Sequence, residues 1–561
     1  MLIEELYPKP SGMMTTTNRF LTTLLRHMSE TPDKVFCTQV SGESECVLTW
    51  RDLEIDCARF SSAYRSHGLT SGDQVLIFLR HVPPLYGAFL GAMLSGMVPA
   101  FMPCSSARQD PNIYWKSHNE LMAHIRPRAL VTDRATLFEM NEAGLHLCDA
   151  ALILLEDLEE ASPSFESPDE NQIGLLQHSS GTTGLKKGVA LSYEAIVAQL
   201  ENYSSCIALS DSDTIVSWLP LYHDMGLIAC LIMPVWRGVP IVHLDPFEWI
   251  SRPDTLFHQL KKKSGTLTWM PNFAFEHLCR TVGRKAETYD LSGVRAFISC
   301  SEPVKAAAVE RFIATFAPSG VRPEQVQACY AMAEMVFAVT QTAIGSTPVT
   351  LEVDPASLQR GATPTAAAGD REAIRLVSNG APVPGAIVTV RDEGRKLLAE
   401  GQVGEIALSG AFLFSGYNRD PSRTQQSLDA GVYYSRDLGF LRGKNLYVLG
   451  RLDDLIIING RNLYAHEIES QVNIVEGVKP GRTVAMGVFD EIVGSEGLVV
   501  MLERANSTNG DDVLKRSISS RLQSVFNVAP NSIVVLEPGQ LIKTTSGKIS
   551  RKENLARYLS T

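Results

Sequence analysis

Along residues 30–150, short apolar runs alternate with stretches of helical period. Gln74-Val75-Leu76-Ile77-Phe78-Leu79 reads as a buried strand, and Leu85 to Met93 as a helix. Strands separated by helices predict a mostly parallel sheet with helices packed against it. The acidic segment Glu156 to Glu170 carries Pro163 and Pro168 among Ser162, Ser164 and Ser167, and reads as a linker between subdomains. The rhythm resumes at Ile173. Near Gly345 to Glu372 it breaks again. Val349 to Leu358 keeps some pattern, whereas Gly361 to Gly369 has the composition of a loose loop, so a small inserted element is expected over about residues 345–376.

From Ile387 the pattern turns strand-like. Ile387-Val388-Thr389-Val390 and Glu405-Ile406-Ala407-Leu408 predict an antiparallel third subdomain. Beyond Gly450, Leu455 to Ile458 predicts a strand and Asn459-Gly460 a tight turn, and the remaining chain reads as a compact α+β unit. The expected architecture is α/β. A large N-terminal body, residues 1–450, combines α/β subdomains with a β-rich one, and a smaller α+β unit follows at 451–561.

Composition narrows the function. Hydrophobic residues make up 45% of the 561 and charged residues 20%, the balance of a globular protein with a large core. The formal net charge of −11 argues against a nucleic-acid partner, which needs a basic face. The ten cysteines show no CxxC spacing, so reduced thiols in a cytoplasmic protein are the expectation. Val82 to Ala107 carries no charged side chain, but Pro83, Pro84, Pro99 and Pro103 interrupt it. It reads as a buried helix and strand, not a transmembrane segment.

The clearest chemical signal is Ser179-Ser180-Gly181-Thr182-Thr183-Gly184-Leu185-Lys186-Lys187-Gly188, which follows the apolar run Ile173 to Leu176. Glycines let the backbone approach a ligand closely. The hydroxyls and free N–H groups can donate to phosphate oxygens, and two lysines add positive charge. The spacing is not that of the common NTPase P-loop, Gly-x-x-x-x-Gly-Lys-Ser/Thr. Taken alone, the string licenses a phosphate-binding loop or a flexible surface loop.

This string resembles the signature of the adenylate-forming superfamily of acyl-CoA synthetases, luciferases and peptide-synthetase adenylation domains. Further resemblances follow in order: Tyr330-Ala331-Met332-Ala333-Glu334, Ser435-Arg436-Asp437-Leu438-Gly439, Gly450-Arg451-Leu452-Asp453-Asp454, and Thr544 to Arg551 around Lys548. The resemblance implies ATP and Mg²⁺ as cofactors and a mobile C-terminal lid. The loop residues, Ser179, Ser180, Gly181, Thr182, Thr183, Gly184 and Lys187, would hold phosphates, with Thr182 and Glu334 at the metal. Tyr330, Ala331, Ser301 and Glu302 would lie by the adenine, Asp437 by the ribose, and Arg451 on the nucleotide side of the hinge residue Asp453. Lys548 would bridge the α-phosphate and the substrate carboxylate.

Trp218-Leu219-Pro220-Leu221-Tyr222-His223-Asp224-Met225-Gly226-Leu227-Ile228 narrows the branch. A His-Asp pair invites a metal or catalytic dyad, but no third ligand lies at useful spacing and no Gly-x-Ser-x-Gly elbow exists. The string instead resembles fatty acyl-AMP ligases, as do Trp269 to Phe275, Cys300 to Val304 and the insertion. The resemblance implies that His223 acts beside the reacting carboxylate, with Trp218, Asp224, Met225, Phe273 and Phe275 lining the acyl site, although aromatics at such spacing also suit a plain core. The expected activity is conversion of a fatty acid and ATP to acyl-AMP, then transfer to the phosphopantetheine thiol of an acyl carrier protein. An acyl- or aryl-CoA ligase and a catalytically idle acyl-adenylate-binding member are the alternatives. Departures cluster at the nucleotide: Ala331 for Gly, Ser435-Arg436 for Thr-Gly, and Cys300-Ser301 for Gly-Ala.

Overall fold

The charge-free stretch folds as a helix, Leu85–Met93, with every residue buried, followed by the buried strand Val98–Phe101. A Cβ on Gly91 would meet the Cys57 carbonyl oxygen at 2.9 Å, so the missing side chain is what lets this helix lie against the helix Trp50–Ser66. Thr49 and Asp52 form a reciprocal cap at the start of that second helix. The computed structural model describes residues 18–104, 111–147, 149–179, 187–367, 372–458, 461–490, 495–505, 510–543 and 549–560. Among them no helix is long and apolar enough to cross a membrane.

The predicted strand at Gln74 spans Gln74–Phe78, inside a parallel sheet ordered Val98–Phe101, Gln74–Phe78, Ala129–Thr132, Ala151–Leu154. A second sheet has a parallel centre of Val326–Ala331, Ala296–Ser299, Leu267–Met270, Ile215–Ser217, Ile241–Leu244 and Val35–Ser41, with antiparallel strands on both flanks. Strands covered by helices on both faces need apolar residues at successive positions, which is why these segments read as continuous runs without alternation. The acidic linker is pinned to the surface: Ser164 accepts from Arg65 at 2.7 Å, and the Glu166 N–H donates to the Leu94 carbonyl at 2.7 Å.

Ala386–Arg391, Gly404–Gly410, Val432–Arg442 and Asn445–Arg451 form the expected antiparallel sheet. Beyond it come the hairpin Leu455–Ile458 with Arg461–Tyr464, the helix Ala465–Asn473, a sheet of Val478–Asp490, Ser495–Arg504 and Ser532–Leu536, and the helices Asp511–Phe526 and Arg551–Leu559. The predicted turn Asn459-Gly460 lies outside the described residues.

The insertion pairs Thr350–Val353 with Ile374–Val377 around a short turn, Pro355–Ser357. Its residues Val353, Leu358, Ile374 and Leu376 share one buried cluster with Ile456, Leu463, Tyr464 and Ile468 of the C-terminal unit. Polar contacts reinforce this packing. The Asn462 N–H donates to Gln359 Oε1 at 3.0 Å, and Arg521 pairs with Glu372 at 2.8 Å.

Candidate functional site

The strands on either side of the Ser/Thr/Gly string pair with each other. These two stems, Ile173–Ser179 and Lys187–Ser192, run antiparallel with Ser179 opposite Lys187. Ser180, Gly181, Thr182, Thr183 and Gly184 lie outside the described residues, as does Lys548. Lys187 opens the second stem. Its ammonium stands 5.1 Å from the centre of the Tyr417 ring. Burial pulls its pKa below the ordinary lysine value, against the attraction of Glu334.

Tyr417 is held beside that stem by pairing with Val189, and the neighbouring Asn418 N–H donates to the Gly188 carbonyl at 2.7 Å. The Tyr417 hydroxyl donates to Glu334 Oε1 at 2.7 Å, so one tyrosine touches both the loop stem and the buried carboxylate. Glu334 sits in the short turn Ala333–Met335. The next residue, Val336, has φ +59°, and the Phe337 N–H donates back to the Met335 carbonyl at 2.6 Å. A β-branched residue in that region is strained, and such strain persists where surrounding structure over-determines it, often at functional sites. Tyr417→Phe keeps the ring and removes the donor. A hydrogen bond to a charged group is worth roughly 1.5–3 kcal/mol, so adenylate formation should fall about tenfold, read as pyrophosphate release in a variant that keeps its melting temperature.

On the antiparallel sheet, Asp437 and Arg451 are cross-strand partners, with Arg451 Nε 3.4 Å from Asp437 Oδ1. The Tyr330 hydroxyl donates to Asp437 Oδ2 at 2.6 Å. Asp437 is buried, and burial pushes its pKa above the ordinary value despite Arg451 and Tyr330. The carboxylate form accepts hydrogen bonds, so an acceptor role weakens as pH falls through this raised pKa. If Asp437 binds ribose, ATP affinity should begin to drop at a higher pH than an unperturbed aspartate would give. Titrating ATP affinity against pH for wild type and Asp437→Asn checks this: the asparagine variant should lose the dependence.

The other candidates fall into two groups. Ser301 has φ +66°, and its neighbour Glu302 accepts the Phe273 N–H at 3.0 Å, which joins the Cys300 to Val304 loop to the Asn272–Val282 helix. His223 ends the string's loop, with its N–H donating to the Pro220 carbonyl at 3.2 Å and its ring 4.9 Å from that of Tyr222. Asp224 caps the segment Met225–Ile232, which is wound as a π-helix, a form that recurs at functional sites. A Cβ on Gly226 would meet the Pro220 carbonyl oxygen at 2.3 Å, so only glycine lets this helix lie on the His223 loop.

Trp218 stacks on Trp249 at 3.7 Å and meets Phe273 edge-on at 6.0 Å. Phe275 is fully buried against Phe312, on a different side of the helix from the half-exposed Phe273. Leu219 to Tyr222 also line a cavity of about 410 Å³, together with Phe101, Met102, Leu244 and Phe247. Ala331 is half-buried next to Tyr330. Sequence reading missed Tyr417, which stands in no marked motif, and the ion pair of Arg436 with Asp453, whose two members belong to separate motifs.

Paired strands flanking the Ser/Thr/Gly string, a buried Glu334 and an Asp437–Arg451 pair fit the class of adenylate-forming enzymes. The chain belongs to the AMP-binding enzyme family, whose pattern matches residues 24–418. It is 28% identical over 98% of both chains to the long-chain-fatty-acid–AMP ligase FadD26 of Mycobacterium marinum. It is 29% identical to a 4-hydroxyphenylalkanoate adenylyltransferase of the same organism, over 91% of this chain and 86% of that one. Its fold matches a structure from studies of fatty acyl-adenylate ligases of E. coli and L. pneumophila with a TM-score of 0.88, at 27% identity over 97% of this chain and 98% of that chain. It also matches an L. pneumophila fatty acyl-adenylate ligase in complex with acyl adenylate and pyrophosphate, with a TM-score of 0.74 at 26% identity, over 97% and 96% of the two chains.

Proposed function

We propose that the protein activates a fatty acid with ATP as acyl-AMP and passes the acyl group to the phosphopantetheine thiol of an acyl carrier protein. The observation that carries the reading is the convergence of Lys187, Glu334, Tyr417, Asp437 and Arg451 beside the paired strands that flank the Ser/Thr/Gly string. In the first step a carboxylate oxygen bonds to the α-phosphorus while the bond to the pyrophosphate oxygen breaks, and pyrophosphate leaves. Such chemistry is mostly positioning and charge stabilisation. The Ser/Thr/Gly string and Lys187 would hold the phosphates, Asp437 the ribose hydroxyls, and Tyr330 the adenine side. Lys548 would meet the charge that builds between carboxylate and α-phosphate.

Glu334 offers a buried hard-oxygen donor, as Mg²⁺ requires, with the remaining positions left to phosphate oxygens and water. When bound, the ion supplies neutralisation of phosphate charge. His223 would lie by the substrate carboxylate. The cavity lined by Leu219 to Tyr222, Phe101 and Met102, and also by the charged Arg80, Asp245 and Glu248, is the space on that side offered to an acyl chain. In the second step the thiolate attacks the acyl carbon and AMP leaves.

The choice of a carrier-protein thiol over coenzyme A rests on the insertion. Its buried contacts with Ile456, Leu463 and Ile468 resist rotation of the C-terminal unit. Incubation with ATP, Mg²⁺ and dodecanoic acid should yield dodecanoyl-AMP and pyrophosphate. Efficient dodecanoyl-CoA formation on adding coenzyme A would overturn the acceptor assignment and leave adenylation standing.

A further inference from the structure

Arg436 occupies a place where a resemblance to other adenylate-forming enzymes leads one to expect glycine, and its backbone shows why. Its φ is +60°, a region that side-chain-bearing residues rarely enter. The register of the strand pair breaks here. Leu438 faces Glu405 and Tyr434 faces Ala407, so Ser435, Arg436 and Asp437 together bulge opposite Ile406. Bulges re-aim side chains, often beside active sites. This one is fixed by Ser435 Oγ donating to the Ile406 carbonyl at 2.7 Å and by the Arg436 N–H donating to Glu405 Oε1 at 3.0 Å. It places Asp437 beside Tyr330 and Arg451, and Arg436 beside Asp453.

Arg436 reaches Asp453 with both arms of its fork. Nε lies 3.3 Å from Oδ2, and Nη2 contacts Oδ1. Asp453 belongs to the short turn Leu452–Asp454 that leads from the last strand of the antiparallel sheet into the C-terminal hairpin. The adjacent Asp454 is held from the opposite side. Its Oδ1 lies 2.6 Å from Nη1 of Arg551, whose Nη2 also pairs with Glu469 at 2.6 Å and whose Nε donates to the Ala485 carbonyl at 2.9 Å. Two consecutive aspartates are therefore clamped by two arginines, one on the sheet that carries Asp437 and one inside the C-terminal unit.

We propose that Arg436 is a positioning residue for the hinge: it fixes Asp453 to the body while Arg551 carries Asp454 with the C-terminal unit, so that rotation between the two half-reactions breaks at the 453–454 link and requires the Arg436–Asp453 pair to open. The inference rests on the two-step reading above. The pair's character suits a contact that opens in each cycle. Arg436 and Asp453 are partly exposed, at 58% and 36%, and exposed pairs are weak and salt-sensitive. Asp453 is also attracted by Arg451 and Lys187, the cations of the nucleotide side, though Arg436 is its foremost partner.

The test uses the full chain with Arg436→Gly, Arg436→Lys and the exchange Arg436→Asp with Asp453→Arg. Glycine accepts the backbone geometry, so the variant should fold with an unchanged or higher melting temperature. Pyrophosphate release is measured in one arm, and single-turnover transfer from preformed dodecanoyl-AMP to N-acetylcysteamine in the other. Arg436→Gly should change the ratio of the two rates about threefold or more. The ratio's dependence on salt between about 0.05 and 0.5 M should vanish in that variant. Lysine should restore part of the wild-type ratio, and the charge exchange more of it. Hydrogen exchange over residues 452–458 should rise several-fold in Arg436→Gly. Unchanged exchange, or an equal change in both half-reactions, would overturn the proposal. If wild type releases no pyrophosphate while exchange still rises in the variant, the adenylation reading fails and the clamp stands.

Discussion

Replacing Lys548 with alanine is expected to reduce acyl-AMP formation by roughly 100-fold or more while leaving transfer from preformed acyl-AMP close to the wild-type rate. The argument is electrostatic. In the first step a carboxylate approaches a phosphorus already surrounded by negative oxygens, and the charge to be stabilised lies between them. Lys187 and Arg451, the cations described nearest the nucleotide side, are held on paired strands, Lys187 at the head of Lys187–Ser192 and Arg451 against Asp437. The described stems of the segment carrying Lys548 are tightly fixed. Lys543 bridges Ile549, and the buried Asn554 amide accepts from the Ile542 N–H at 3.1 Å and donates to the Ser550 carbonyl at 2.7 Å. The described residues on either side of the segment that carries Lys548 are thus braced within the C-terminal unit. Pyrophosphate release and single-turnover thiol transfer, measured side by side, check the split. An equal loss in both would assign Lys548 a role in folding or in both steps.

The layered fold was legible because parallel strands buried on both faces must be apolar at successive positions, as Gln74–Phe78 and Val98–Phe101 are. The antiparallel sheet showed through Ile387 to Val390, where successive side chains face opposite sides and burial alternates, and through the apolar run Ile406 to Leu408. The site was legible only where one short string carries several functional groups. Tyr417 and Glu334 are 83 residues apart and meet only because Gly416-Tyr417 pairs with the strand Lys187–Ser192, a contact that no local pattern encodes. The role of Arg436 depends on a bulge, and a bulge depends on the partner strand's register as much as on its own sequence. Phe273 and Phe275 show the converse. Both are aromatic and apolar, yet two residues along a helix do not share a face, and one packs on Phe312 while the other lies half-exposed.

Glu334→Gln should separate chemistry from stability more sharply than any other single change. Glutamine is nearly isosteric and can still accept from the Tyr417 hydroxyl, so packing at this buried position is preserved. What is lost is one negative charge at a buried position, where the cost of burying an ionised carboxylate offsets the attraction of Lys187 and Arg451 that goes with it. The melting temperature should therefore stay level. Adenylation should nonetheless fall by about 100-fold, because the ion that would neutralise the phosphates loses its protein anchor, and several kcal/mol of transition-state stabilisation go with it. Lys187 would change as well. Burial already disfavours its charge and Glu334 opposes that effect, so the variant should weaken the lysine's hold on phosphate at alkaline pH first. Measuring Mg²⁺ binding calorimetrically in the presence of a non-hydrolysable ATP analogue gives a readout independent of turnover: the wild-type titration should show a tighter ion than the variant. A variant with lost activity but unchanged Mg²⁺ affinity would move Glu334 from the metal to the positioning of Lys187 and Tyr417.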